Sequence, residues 1–384
     1  MSLLILKKTL SLVEGFREKL MNFNKSVMLG KWTVTVCLLL ISFGCKTKSY
    51  TTTSTYGVSP GDEYFSIAVL PDTQYYTATK HGGTMEMFEQ QIQWIRDNRK
   101  AQNIAYVIHL GDISDHGEAK PQEWVNASSV LYKLEKDNIP YGLAVGNHDE
   151  TPNSKPANGS PNTSYTKYFG KSHFKDKPWY GGAMGNNDNS DNHFDLFSAN
   201  GDNYIAVYFA YNDPAKKDTY NATYEKQVMH WADSILTVYD SRKAILVTHG
   251  LLKRPKGSTS NIKPGEGDNS VPSEFTAQGK VIYNMAKYHN NVFLMLGGHI
   301  SGEGFRRDDY NGHVIKSYLT DYQSRQNPPY SGEKDRNGGN GTMRLMKINK
   351  TKQTLSVTTF IPRANGMVIK EEDGDSQFTE PLFK

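Results

Sequence analysis

The chain has 384 residues and a formal charge of +4 at pH 7, enough for one large domain or two small ones. Residues 1–44 hold Lys7, Lys8, Arg17, Lys19, Lys25 and Lys31 against Glu14 and Glu18; removing these six and two from 44 basic and 40 acidic residues leaves 38 of each from residue 45 onward. That neutrality argues against a nucleic-acid partner, which needs a basic face on the folded domain, and because both cysteines, Cys37 and Cys45, lie in the leader, the rest has no disulfide or thiolate metal site and must hold any metal with His, Asp, Asn and similar groups.

Residues 32–45, WTVTVCLLLISFGC, follow Lys31. They are short for a membrane span and end in a small residue before cysteine. The segment resembles a bacterial lipoprotein signal, with Cys45 the lipidated first residue of the mature protein. A signal peptide with an incidental cysteine, or a short anchor helix, is the plainer alternative. On the first reading the protein is exported and held by a membrane lipid in the cell envelope, facing the periplasm or the cell surface. Residues 1–45 are then the signal segment and 46–61, rich in Ser and Thr, a flexible tether.

A pattern of alternating strands and helices follows. FSIAVLPD reads as a strand, and TMEMFEQQIQWIRDNRK as a helix with Met85, Phe88, Ile92 and Ile95 on one face. NIAYVIHLGD is almost continuously apolar, as a strand covered on both faces should be. A second helix carries Trp124, Leu131 and Leu134, and YGLAVGNHD is a third strand. Parallel pairing with right-handed crossovers follows from that order. Residues 151–192 read as a long surface excursion whose Tyr and Trp either line a pocket or pin the loop down. Residues 194–211 read as a hairpin turning near Asn200–Gly201–Asp202. A helix over 223–239, the strand KAILVTHG, a helix over 272–289 and the strand VFLMLGGH come next. HVIKSYLTDYQ, MRLMKINK and LSVTTFIP close the chain as strands expected to pair antiparallel. The domain spans 62–363, with 364–384 set apart as a C-terminal tail. The count predicts two mixed sheets face to face with helices outside.

Five strand ends carry polar groups: Asp72, Asp112, Asn147-His148-Asp149, His249 and His299. Ligands of open α/β sheets bind outside the carboxyl ends of strands, so five such groups point to one site. Here the chain resembles the calcineurin-like metallophosphoesterases, whose pattern is D-x-H, G-D-x-x-D, G-N-H-D/E, a later histidine and G-H-x-H. This chain reads D-T-Q (72–74), G-D-I-S-D (111–115), G-N-H-D (146–149), T-H-G (248–250) and G-H-I-S (298–301). The resemblance implies an α/β fold, a four-layer α/β/β/α sandwich carrying two divalent metal ions (Mn, Zn, Fe or Mg) and a phosphoester substrate, mono- or diester, cleaved by metal-activated water. It implies Asp112 as the bridging ligand, Asn147, His249 and His299 on the second metal, and Asp72 on the first. It makes His148 the acid for the leaving oxygen and Asp115 the residue that orients it.

Two positions depart from the pattern. Gln74 and Ser301 stand where the first metal's histidines belong. Three readings stay open. Gln74 ligates weakly through its carbonyl, giving an oxygen-rich site that suits Mn or Mg better than Zn. Alternatively His116 or Glu303 swings in as a substitute. Or the first site is empty or exchangeable, which leaves a one-metal enzyme or a metal- or ligand-binding protein with little turnover. Asp149, like Ser301, is a weak metal ligand or a group that supports the ligands, or else Asp149 caps a helix, and His109 is a packed core histidine. Arg306 and Arg307 either meet a phosphate or form a solvated charge pair.

Overall fold

The computed structural model describes residues 63–150, 158–256, 271–328 and 332–383. The signal segment with Cys45 and the tether 46–61 lie outside them.

β1 (Tyr64–Leu70) is buried along all but its first residue. The one-turn helix α1 (Gln74–Thr77) and then α2 (Met85–Asn98) follow. The Thr84 hydroxyl caps α2 by accepting from the Met87 N–H at 3.4 Å, and Phe88, Ile92 and Ile95 form its buried stripe. β2 (Ile104–His109), α3 (Pro121–Lys136) and β3 (Tyr141–Leu143) repeat the unit, and β1, β2 and β3 pair in parallel. Pro121 in the first turn of α3 and Lys133 and Lys136 in the last suit the two ends of its dipole.

The short helices α4 (Ser164–Phe169) and α5 (Lys171–Phe174) lead into β4 (Tyr180–Ala183), β5 (His193–Ala199) and β6 (Asp202–Phe209). Asn200 and Gly201, with φ of 51° and 78°, make the tight turn expected between β5 and β6. α6 (Ala222–Val238), β7 (Lys243–Thr248), α7 (Ala277–Ala286) and β8 (Val292–Gly297) follow. The chain closes with β9 (Gly302–Tyr310), β10 (His313–Asp321), β11 (Met343–Asn349), β12 (Thr354–Pro362), β13 (Val368–Lys370) and β14 (Gln377–Pro381). One sheet runs β13-β12-β11-β1-β2-β3 with β14 beside β12; the other runs β4-β5-β6-β7-β8-β10-β9.

Side-chain alternation makes the layers. Ile205, Val207 and Phe209 of β6 and Leu246 of β7 pack with Val228, Ala232 and Leu236 of α6 and Ile282 of α7. Their neighbours Tyr204, Ala206, Tyr208, Ile245 and Val247 turn the other way, into a core shared with the first sheet. Each fully buried aliphatic or Phe side chain contributes about 1.5–3 kcal/mol. Between the sheets, Tyr106 of β2 donates to the Asp195 carboxylate of β5 and lies 3.0 Å from the Tyr208 hydroxyl. α2 and α3 cover the outer face of the first sheet, so the four-layer α/β/β/α sandwich of two mixed sheets is the fold that forms.

The aromatics decide between the two alternatives offered for them, and three further details differ from the expectation. Within 158–192 the aromatics are buried: Tyr165, Phe169 and Trp179 pack on Trp124 and Tyr141, and the Trp179 indole donates to the Tyr141 carbonyl at 3.0 Å. They pin the segment to α3 and β3. α7 starts only at Ala277, where the Thr276 hydroxyl caps it by accepting from the Gly279 N–H. β10 joins the second sheet, parallel to β8 and antiparallel to β9, so only β11 and β12 of the three closing strands pair with each other. Residues 364–384, set apart as a tail, add β13 and β14 along the edge of β12 that β11 leaves free.

Candidate metal centre

All five strand ends lie at the carboxyl ends of adjacent strands, β1, β2 and β3 in one sheet and β7 and β8 in the other. Asp112 and His299 hold left-handed backbones, φ 51° and 72°. For a histidine this conformation costs about 1–3 kcal/mol and is tolerated where the surroundings dictate it. Two glycines permit the close approach. A Cβ at Gly146 would stand 2.1 Å from Asp112 Oδ1, and one at Gly298 would stand 2.3 Å from Asp72 Oδ1.

Asp112, His249 and His299 each bring a ligand atom within 4.8 Å of the others. His249 Nδ1 donates to the Leu110 carbonyl at 2.9 Å, which leaves Nε2 facing Asp112 Oδ2 at 3.1 Å. That contact has ion-pair distance but not hydrogen-bond direction, so Nε2 is a buried atom with no hydrogen-bond partner. Burial opposes charge on both groups and is outweighed. Asp112 and then Asp72 push the His249 imidazole up to about 10, and the His249 charge holds the Asp112 carboxyl well below its usual range. His299 is pushed down to about 3 by burial and by the His249 charge, which keeps it neutral. Asn147 Oδ1 is likewise buried without a partner. An orphaned acceptor such as the Asn147 oxygen costs about 1–3 kcal/mol. A carboxylate, an amide oxygen with an unused lone pair, the neutral His299 and a His249 whose Nε2 would give up its proton on binding fit a divalent cation. The other ring nitrogen of His249, fixed by a backbone carbonyl, has the orientation usual for a ligating histidine.

His148 stands at the rim, its side chain one-third exposed. Its N–H donates to Asp112 Oδ1 at 3.0 Å, and its Nδ1 donates to the Asp115 carbonyl at 2.7 Å, with Asp115 Oδ1 at 3.3 Å. Lys80 Nζ meets Asp115 Oδ2 at 2.8 Å. Asp149 has both oxygens occupied by backbone: Oδ1 accepts from Ile113 and Ser114, Oδ2 from Gly146. It clamps two ligand-bearing loops together, and burial with the Asp112 charge pushes it up to about 7. His116 points to Glu123 Oε1 at 2.7 Å, away from the ligand set. Glu123 Oε2 also accepts the N–H groups of Asp115 and His116, so this residue in the first turn of α3 holds the G-D-x-x-D loop. Its sequence signal was a carboxylate just after Pro121, where a helix begins. His109 is neutral and packed: burial pushes it down to about 3, Nδ1 accepts from Gly111, and Nε2 donates to Thr73. Arg306 pairs with Asp308 and Arg307 with Glu380, and Glu303 is engaged by Arg344 and Tyr322.

The environment of Asp72 holds Asp321 and Gln323, from a D-Y-Q stretch (321–323) that the sequence leaves as either a cleft rim or a hairpin turn. Gln323 Nε2 donates to Asp72 Oδ2 at 3.3 Å and to Asp321 Oδ2 at 3.0 Å. Gln74 Nε2 donates to Gln323 Oε1 at 2.8 Å, and Gln74 Oε1 is buried with no partner. Ser301 Oγ contacts Asp321 Oδ2 at 3.3 Å and Ser324 Oγ at 2.8 Å. Burial, then the Asp321 charge, pushes Asp72 well above its usual range, and burial pushes Asp321 up to about 6. Both carboxylates lack a full counter-charge.

A family model described as calcineurin-like phosphoesterase matches residues 65–301. The uncharacterized protein YvnB of Bacillus subtilis (strain 168) is 29% identical over 315 residues, which cover 79% of this chain and 20% of that protein. The chain thus spans about a fifth of the length of that relative. A dimetal phosphatase from Danio rerio has 14% identity and a TM-score of 0.47, covering 81% of this chain and 100% of its own. GAP50, the anchor in the inner membrane complex of Plasmodium, has 14% identity and a TM-score of 0.46, with 83% and 89% covered. Purple acid phosphatase PPD1 from yellow lupin (Lupinus luteus) seeds has 12% identity and a TM-score of 0.45, with 84% and 54% covered. With the family pattern running through 65–301, more than half of its length, the chain belongs to the calcineurin-like phosphoesterases, a family of hydrolases acting on phosphoric ester bonds.

Proposed function

We propose that this protein hydrolyses phosphate esters, mono- or diesters, and depends on a pair of divalent cations. The observation that carries the reading is the set of buried, unpartnered ligand atoms on Asn147 and His249 beside Asp112 and His299. Asp112, Asn147, His249 and His299 would hold one ion, and Asp72 and Asp112 border the place of the other. Divalent ions held there would supply polarisation of the phosphoryl oxygen and a nucleophile from water at neutral pH. As the new P–O bond forms, the bond to the leaving oxygen breaks, and that oxygen needs a proton. His148 is placed to give it. Its Nδ1–H is fixed on the Asp115 carbonyl, which leaves Nε2 to carry the transferred proton. Asp115, paired with Lys80, holds the ring in place. The fold serves monoesters and diesters alike.

Purified protein with added Mn is expected to cleave an aryl phosphate monoester or diester, and Asp112→Asn to reduce turnover by at least about 10²–10³, the scale of losing one preorganised electrostatic group. Folded protein that turns over neither ester class with Mn, Mg, Zn or Fe would rule the reading out.

We further infer export and lipid attachment at Cys45, resting on Lys31, the apolar run to Gly44 and the polar tether after it. Expressed in a bacterium fed radiolabelled palmitate, the wild type should carry label and enter the membrane fraction, and Cys45→Ala should lose the label. Equal labelling of both proteins would refute attachment there.

A further inference from the structure

The pair of buried carboxylates beside the imidazole-bearing ligand set is itself built to hold a cation. Asp72 is 2% exposed and Asp321 0%. Among the described residues, no lysine or arginine forms an ion pair with either. Two carboxylates so placed repel each other and lose hydration, and a single positive charge between them relieves both effects. The group that stands between them is the Gln323 amide, whose Nε2 donates to an oxygen of each. It marks a point within reach of both carboxylates. A carboxamide turned by 180° about its last torsion presents its oxygen there instead. Gln74 supplies an independent sign. It is 1% exposed, its Nε2 is bonded to Gln323, and its Oε1 is buried with no donor.

The β9–β10 hairpin explains how Asp321 arrives. Asn311 and Gly312, with φ of 56° and 81°, make its turn, and nine antiparallel pairs later Asp321 lies opposite Gly302. The end of β10 is thereby returned to the flank of residue 301. Ser301 is small, and its hydroxyl contacts the Asp321 carboxylate. A short residue at 301 leaves the space, and a carboxylate from the paired strand fills it.

We propose that Asp72 and Asp321, with the amide oxygens of Gln74 and Gln323, form an all-oxygen site for a second divalent cation that selects Mn or Mg over Zn. Two carboxylates and neutral amide oxygens suit a hard cation, whereas the neighbouring set has the imidazoles that Zn prefers. Asp321 therefore supplies the ligand lost at position 301, while the Gln74 amide offers an oxygen at the other. The inference rests on the hydrolase reading only for the identity of the neighbouring ion.

The test is metal content and Mn binding of the full-length protein, read by mass spectrometry, calorimetry and electron paramagnetic resonance. Wild type should bind two Mn ions with a spin-coupled signal. Asp321→Asn should keep one ion, lose the other and lose the coupling. His249→Ala should keep the ion that Asp321→Asn loses. Metal-free Asp321→Asn should melt at or above metal-free wild type, because a buried charge has been removed, while its Mn-induced rise in melting temperature shrinks. The double variant Ser301→His with Asp321→Ser should regain a second ion and favour Zn, which gives a readout even if Asp321→Asn folds poorly. Two coupled Mn ions in Asp321→Asn, or a wild type that never binds a second ion, would overturn the site. If turnover persists with one ion, hydrolysis stands, its dependence on a pair of cations is reduced to one, and this inference falls. If two ions bind without turnover on either ester class, the hydrolase reading falls and the site stands.

Discussion

His148→Ala is expected to lower kcat by about 10²–10⁴ on esters of poorly acidic alcohols, the usual contribution of a positioned general acid. On aryl esters with a strongly acidic leaving group the loss should be far smaller. The contrast follows from the geometry. The His148 main chain binds Asp112, but its ring is tied only to Asp115 through Nδ1. Truncation therefore leaves the Asp112–Asn147–His249–His299 set in place and removes only the proton donor. A leaving oxygen that departs readily as an anion does not need that proton, whereas an alkoxide does. Turnover measured across leaving groups should show a steeper dependence on leaving-group acidity in the variant. Mn affinity should stay within a few fold of wild type. A loss equal for every leaving group would assign His148 to substrate positioning instead.

Much of this candidate centre is readable in the sequence because each candidate ligand on β1, β2, β3, β7 and β8 follows an apolar run. A strand buried on both faces has to announce its end with a polar group, and Asp72, Asp112, Asn147, His249 and His299 all follow such runs. Asp321 also ends a strand, but its meaning depends on pairing register. The Asn311–Gly312 turn was the available signal, since counting nine residues back along each arm places 321 opposite 302. β9 hid that hairpin, because as an edge strand of its sheet it carries Arg306, Arg307 and Asp308 in ion pairs. The roles of Asp149 and Glu123 are hidden for another reason. Each is defined by backbone N–H groups it accepts, up to 36 residues away for Asp149, and no residue pattern records a backbone donor. The aromatics of 158–192 were visible in the sequence, but composition does not tell a ring that lines a pocket from one that packs on Trp124 or Tyr141.

Arg344→Ala is expected to destabilise the domain by about 3–5 kcal/mol, the cost of stranding a buried charge. Arg344 of β11 is 2% exposed. Its guanidinium binds the Glu303 carboxylate of β9, Thr320 Oγ1 of β10 at 2.9 Å, Thr359 Oγ1 of β12 at 2.9 Å and the Asp375 carbonyl at 2.8 Å. One side chain thus joins both sheets and the segment before β14. Without it, Glu303 retains Arg325 at 3.9 Å and the hydroxyls of Tyr322, Thr359 and Ser376. Burial raises the Glu303 carboxyl, but the charges of Arg344 and Arg325 outweigh it and hold the group below its usual range. The stabilisation is therefore complete above the ordinary Glu range and fades as pH falls through the lowered value. Denaturant unfolding at pH 7 should show the full deficit for Arg344→Ala. Arg344→Met with Glu303→Gln should recover much of it, because the stranded charge is gone. A deficit below about 1 kcal/mol, within the range of ordinary surface changes, would mean that water enters and solvates Glu303. Thr320 adjoins Asp321, so loosening this network should also weaken Mn binding beside Asp72 before it weakens binding at His249, and calorimetry on the folded variant reads that order directly.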